Sequence, residues 1–150
     1  MKIVKFEEKY TDEMVRLYQN EYSEDETHKW SYEKAKESLE TCWNYFPDYS
    51  FVALDEAGIC MGGIFNLVNP YFQSDVLFVI SIQVKPEYRG KGVAKGLLKK
   101  AIEVAGEKKI TGVRLLTDVR KEFPKSWYEK IGLKRSGYIE YAAEIDGLDL

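Results

Sequence analysis

The sequence predicts a mixed α/β fold: a central sheet with both parallel and antiparallel strands, flanked by helices. Three observations carry this reading. Short runs of β-branched and aromatic residues recur through the first half of the chain, separated by turn residues. Two further apolar runs, residues 76–84 and 112–117, bracket a long amphipathic pattern over residues 92–108. A strand–helix–strand unit of this kind makes its strands parallel by the right-handed crossover rule. The chain has 150 residues, the size of one ordinary domain able to bury its own core, so a single domain is expected over 1–150.

Taken in order, residues 2–6 read as a first strand. Thr11 reads as the N-cap of a first helix, with Asp12 and Glu13 in the first turn, where negative charge meets the positive end of the helix dipole. Met14, Leu17 and Tyr18 give that helix its spacing. An acidic loop, residues 21–27, follows. Ser31 caps a second helix whose apolar face is Ala35, Leu39, Cys42 and Trp43. Residues 50–54 read as a strand and Asp55 to Gly58 as a hairpin turn. The next strand, residues 59–68, is weakened at Gly62 and Gly63, as at a bulge or a close packing point, and Asn69 and Pro70 are expected to end it. Residues 76–84 form the most apolar strand, hence a central one, and Pro86 stops it. In the long helix Ala94, Leu97, Leu98, Ala101, Ile102 and Ala105 share one face, and Lys95, Lys99 and Lys100 the other. Pro124 opens a short helix through Ile131, with Phe123, Trp127 and Ile131 as its buried stripe and Gly132 at its C-terminal cap. Residues 134–145 are expected to supply a last strand.

Composition narrows the function. With 45% hydrophobic and 31% charged residues, the chain is globular rather than disordered. A net charge of −3 argues against nucleic-acid binding, which needs a basic surface. Cys42 and Cys60 lie in no Cys-x-x-Cys, and His28 is the one histidine, so no metal site is expected. Two lone cysteines read as buried thiols in a reducing compartment, with a disulfide between them as the less favoured alternative. The N-terminus lacks a signal-peptide pattern, and no apolar run is long enough to span a bilayer. A cytoplasmic protein without membrane contact is expected.

The stretch that carries chemistry is Ser81-Ile-Gln-Val-Lys-Pro-Glu-Tyr-Arg-Gly-Lys-Gly-Val-Ala94. An apolar strand runs into a Gly-rich loop, and the loop opens a helix. That order offers backbone N–H groups and the positive end of a helix dipole to an anion. Gly90 and Gly92 let a phosphate approach the backbone because no Cβ intervenes, and Arg89 and Lys91 add charge. A diphosphate is the natural guest. The dinucleotide fingerprint fails, because Lys95 stands where its third glycine belongs, and a Walker P-loop fails on spacing.

These residues resemble the GCN5-related N-acetyltransferases. The family signature Gln/Arg-x-x-Gly-x-Gly/Ala stands here as Arg89-Gly-Lys-Gly92-Val-Ala94, preceded by Val84-Lys-Pro86-Glu-Tyr. A second segment, Trp127-Tyr-Glu-Lys-Ile-Gly-Leu133, resembles the family's aromatic/Leu-Tyr-x-Lys/Arg-x-Gly-Phe. The resemblance implies an acyl-CoA N-acyltransferase fold whose two central parallel strands splay apart, with acetyl-CoA as co-substrate. It implies that the pantetheine arm pairs with the backbone of Ile82, Gln83 and Val84. The pyrophosphate would rest on the amides of Arg89, Gly90, Lys91, Gly92, Val93 and Ala94. Lys95 is the side chain expected to reach the 3′-phosphate. Tyr128 matches the tyrosine that protonates the departing thiolate, a sensible role because a thiol has a pKa near 8.5. A backbone N–H at a strand bulge would bind the carbonyl oxygen as charge develops on it.

The chain departs from the family in two places. Lys121 and Pro124 stand where an asparagine and an alanine are common, which removes one hydrogen bond to CoA. Many relatives carry a glutamate base on the central strand, whereas Phe78, Ile80 and Leu116 here are apolar. Asp118 is the leading candidate base, ahead of Asp75 and Glu122; a water chain, or an amine that arrives neutral, does as well. The acidic loop, with Glu24, Asp25, Glu26 and His28, reads first as a solvated turn; the alternative is that it attracts a cationic acceptor by electrostatic steering. The expected reaction is acetylation of a primary amine, that of a polyamine, amino sugar or aminoglycoside. The alternatives are a protein N-terminus or lysine as acceptor and, in another class, a non-catalytic sensor of acyl-CoA. A homodimer is left open.

Overall fold

The computed structural model describes residues 1–148, so the end of the expected domain at Leu150 lies outside the described residues. Its contacts divide the chain into two compact units, residues 1–116 and 117–150.

The first unit holds a five-stranded sheet in the order β1–β2–β3–β4–β5. Its strands are β1 (Lys2–Lys5), β2 (Phe51–Leu54), β3 (Cys60–Tyr71), β4 (Ser74–Val84) and β5 (Gly112–Leu115). The first three pairings are antiparallel and the last is parallel, as the crossover rule requires. The expected internal position of residues 76–84 holds, because β4 has a strand on each side. Pro70 does not end β3. The strand runs on to Tyr71 and turns at Phe72, which takes a positive φ of 53°. Beyond Ile64 β3 has left β2, and a proline is tolerated on such an edge.

Helices α1 (Thr11–Tyr22) and α2 (Tyr32–Tyr45) cover one face. Thr11 is not the cap of α1. A 3-10 turn, Glu8–Tyr10, runs straight into the helix and puts Tyr10 at the cap position, with no side-chain bond. Ser31 does cap α2, its hydroxyl accepting from Lys34 N–H at 3.1 Å. Met14, Val15, Leu17 and Tyr18 of α1 and Ala35, Leu39 and Cys42 of α2 bury one core with Phe6, Val52, Cys60 and Phe65. Trp43 stacks on Phe6 with ring centroids 4.4 Å apart. Each such aliphatic or aromatic side chain contributes about 1.5–3 kcal/mol on leaving water. Both cysteines are buried free thiols.

Helix α3 (Val93–Glu107) packs on β2, β3 and β4 through Val93, Leu97, Leu98, Ala101 and Ala105. None of these joins the first core, so α3 covers the opposite face. The buried stripe follows steps of four, which leaves Ile102 exposed, contrary to its expected place on that face. Gly62 and Gly63 are indeed a close packing point: a Cβ on Gly62 would lie 2.3 Å from the Gln83 carbonyl oxygen.

The second unit contains α4 (Glu122–Lys130). Phe123 has extended backbone and is exposed, so regular helix begins at Pro124; Ile131, just past the helix, is exposed as well, and of the expected buried stripe only Trp127 is half-buried. Gly132, at φ 105°, closes the helix. Leu133 N–H reaches Tyr128 C=O at 3.0 Å and Gly132 N–H reaches Glu129 C=O at 3.1 Å, the paired bonds of a Schellman cap. The strand expected over residues 134–145 is not formed: among the described residues the segment has no ladder partner, and only a 3-10 turn, Ile145–Gly147, follows it. A strand needs a neighbour for its backbone groups. Here Ser136 diverts the Tyr138 N–H with its hydroxyl, and Gly137 adds backbone freedom.

Candidate active site

The cofactor residues named from the sequence all fall where β4 leaves its parallel neighbour and turns into α3. Pairing of β4 with β5 stops at Val79 and Leu115, while β4 continues to Val84. A register shift against β3 falls at the same place: Phe65 faces Ser81 and Asn66 faces Val79, so Ile80 is an extra, bulged residue. A strand bulge is therefore present in β4. Past it, β4 offers one edge to β3 and leaves the other without a strand.

Alternation decides which groups that outer edge presents. Lys85 N–H bonds to Met61 C=O at 2.9 Å, and Gly62 stands opposite Val84. Counting back in an antiparallel ladder, Gln83 turns its N–H and C=O toward β3, whereas Ile82 and Val84 turn theirs outward. Of the three residues expected to pair with a pantetheine arm, two thus have backbone groups facing the open edge. Gln83 acts as a brace: its buried side chain donates to Met14 C=O of α1 at 3.3 Å.

The outward groups have protein partners that sequence reasoning missed. The Tyr22 phenol donates to Ile82 C=O at 3.1 Å and accepts from Ile82 N–H at 3.2 Å. Arg89 Nε donates to Val84 C=O at 3.2 Å, and its terminal nitrogen pairs with Glu21 at 2.5 Å. Glu21 and Tyr22 belong to the last turn of α1, not to the loop expected to begin at residue 21. Tyr22 continues the helical spacing of Val15 and Tyr18, a signal that could have carried α1 one turn further.

The bend after β4 fits a diphosphate. Gly90 and Gly92 take positive φ of 72° and 80°, and a Cβ on either would meet open space. Helix α3 opens without a side-chain cap. Arg89 N–H is taken by Pro86 C=O at 3.2 Å. Among the described residues, the amides of Gly90, Lys91, Gly92, Val93, Ala94 and Lys95 form no turn or cap bond to another backbone group and none to a side chain. Lys91 leans over the Tyr88 ring at 5.5 Å. The Tyr88 hydroxyl donates to Asp55 Oδ2 at 3.0 Å, and Asp55 Oδ1 accepts from the amides of Ala57 and Ile59. The run into the bend is thereby moored to the β2–β3 turn.

The acceptor residues named from the sequence lie on the segment between α1 and α2. Asp25 is consumed locally: its carboxylate accepts from the Thr27 hydroxyl and from the amides of Thr27 and His28, which hold its pKa far below the usual range. Its Oδ1 also lies 3.1 Å from His28 Nδ1. An open cavity of about 440 Å³ is lined by Tyr22, Glu24, His28, Trp30 and their neighbours. A second, of about 330 Å³, has Glu24, Asp25 and Glu26 in its wall.

In the second unit Tyr128 is half-buried, and burial raises its phenol above the ordinary tyrosine range. Asp118 is a poor match for a base. Arg120 grips both carboxylate oxygens at 2.8 Å and adds its backbone N–H at 2.9 Å, which holds the pKa down to about 2.

Comparison with known proteins places this arrangement. The sequence model of the Acetyltransferase (GNAT) family matches residues 11–133. N-alpha-acetyltransferase 30 of Schizosaccharomyces pombe is 26% identical over 138 residues, covering 89% of this chain and 83% of that protein. A Pyrococcus furiosus structure described as an acetyl transferase superposes with a TM-score of 0.74 at 25% identity, covering 95% of this chain and 99% of the other. An aminoglycoside antibiotic 6'-N-acetyltransferase from Acinetobacter haemolyticus shares the fold at a TM-score of 0.75 and 17% identity, with 96% and 98% of the two chains covered.

Proposed function

The chain belongs to the Acetyltransferase (GNAT) family and is an acetyl-CoA-dependent N-acetyltransferase; on that premise we propose that its acceptor is a small cationic primary amine, of the polyamine, amino-sugar or aminoglycoside kind. The observation that carries the acceptor reading is the smaller cavity, of about 330 Å³ beside the end of α1, whose wall sets three carboxylates, Glu24, Asp25 and Glu26, against one lysine, Lys29. Such a wall concentrates cations and orients an ammonium-bearing body. A second reading, acetylation of a peptide α-amine, is favoured by the likeness to N-alpha-acetyltransferase 30. It also suits the tight pairing of Asp118 with Arg120, since an α-amino group has a pKa near 8, is partly neutral at pH 7 and has less need of a base.

In this reading the amides of Gly90 to Ala94 hold the diphosphate, with Arg89, Lys91 and Lys95 adding charge. The outward groups of Ile82 and Val84 align the pantetheine arm. Acetyl-CoA supplies an activated acetyl thioester. Tyr128 keeps its proton throughout the neutral range because burial disfavours the phenolate, and it gives that proton to the departing sulfur. The amide at the Ile80 bulge serves the thioester oxygen as charge gathers there.

Thiol release from acetyl-CoA, measured against matched panels of small amines and of peptides with free N-termini, tests the proposal. Turnover confined to the small amines is expected. Turnover confined to peptides overturns it in favour of the second reading, and CoA binding with no turnover on either panel replaces it with a sensor of acyl-CoA.

A further inference from the structure

Among the described residues, the outer edge of β4 past Val79 carries backbone donors and acceptors with no strand beside them. Buried or half-buried peptide groups of this kind need partners. At Ile82 a single atom, the Tyr22 phenol oxygen, supplies both: it is donor to the carbonyl and acceptor from the amide of the same residue. That is what one residue of a neighbouring strand, or one amide-bearing segment of an extended ligand, would do at this position. A pantetheine arm carries two amide groups in an extended chain and suits such an edge.

We propose that Tyr22 is a placeholder for the cofactor's pantetheine arm: its phenol occupies Ile82 while the cofactor is absent and withdraws when the arm pairs with β4. The inference rests on the cofactor reading given above. Two features make the withdrawal practicable. Tyr22 is the last residue of α1, where a helix end turns aside without breaking interior bonds. Its ring also borders the 440 Å³ cavity, and its withdrawal gives up the contact with the Tyr18 ring, whose centroid lies 4.6 Å away. A group that must leave before a ligand binds lowers the apparent affinity by the fraction of molecules it occupies. Removing the hydroxyl therefore strengthens binding.

The test is calorimetric titration of wild type and Tyr22→Phe with CoA and with adenosine 3′,5′-bisphosphate, which lacks the arm. Expected is CoA binding about tenfold tighter in the variant, the scale of two net neutral hydrogen bonds, with the bisphosphate bound equally by both. On wild type, the NMR signals of the Tyr22 ring should shift on adding CoA and stay in place with the bisphosphate. Equal or weaker CoA binding by a folded Tyr22→Phe overturns the proposal, as does a Tyr22 signal that CoA leaves unmoved; the second readout holds even if the variant fails to fold. Wild type that binds no CoA at all overturns the cofactor reading itself.

Discussion

The phenol oxygen of Tyr22 sits 3.1 Å from the carbonyl oxygen and 3.2 Å from the amide nitrogen of Ile82, sixty residues away in sequence. The neighbouring Glu21 holds Arg89 at 2.5 Å. Two consecutive residues at the end of α1 thus touch both parts of the cofactor segment, the strand edge and the residue before the glycine bend. The Glu21–Arg89 pair is partly exposed and salt-screened, so it adds less than about 1 kcal/mol. Its importance is geometric: it orients the guanidinium whose Nε also caps Val84.

Gly62→Ala should destabilise the fold. The new Cβ would meet backbone, the Gln83 oxygen at 2.3 Å and Val84 Cα at 3.0 Å, and backbone in a paired sheet cannot step aside cheaply. A loss of about 1–3 kcal/mol is expected, read as a lower urea midpoint at unchanged slope. Gly63→Ala should cost less, because its tightest clash is with the flexible end of Met14.

Gly92→Val should weaken CoA binding by about tenfold or more in calorimetry, since a β-branched residue held at φ 80° strains the bend by about 1–3 kcal/mol or re-aims its amides. The rest of the fold should survive, with only a modest fall in melting temperature. Unchanged affinity would count against the amides as the diphosphate site.

Tyr128→Phe should lower kcat by about 10²–10⁴ while CoA binds as before. Because burial raises the phenol above its ordinary value of 10.0, the wild-type rate should show no loss of this acid between pH 7 and 9. A pH–rate profile of both proteins checks the point; equal kcat values would remove Tyr128 from the reaction.

The thiols give a pH prediction for stability. Burial pushes Cys42 up to about 12 and Cys60 up to about 11, against 9.0 for an ordinary thiol. Above pH 9 the unfolded chain releases these protons while the folded chain keeps them, so stability falls as pH rises through 9 to 12. Urea midpoints measured at pH 7.5 and pH 10 should show the decline. A thiol reagent should label neither cysteine in the native protein and both after unfolding.

Much of this was legible in the sequence because it depends on local chemistry. Gly90 and Gly92 announced a bend, Ser31 a cap, Gly62 a tight approach, and the 92–108 pattern a crossover helix. The strand, bend and helix that carry the expected cofactor residues were legible for the same reason, since one stretch of chain supplies them. What escaped was long-range. Tyr22 was read with the acidic loop, and nothing near it in the chain names Ile82 as its partner. Asp118 looked like a base because Arg120, two residues on, was not seen closing on it. The strand over residues 134–145 failed because alternation alone cannot supply a ladder partner.

The mooring of Tyr88 to Asp55 bears on how firmly a ligand is held. A loop of glycines and lysines ordinarily surrenders motion when it closes on its guest, and that loss weakens the complex. Here the approach to the bend is pinned to a distant turn and its exit is the first turn of a helix. The quieting of the loop takes place as the chain folds, so the diphosphate of the proposed reading would meet a surface already still.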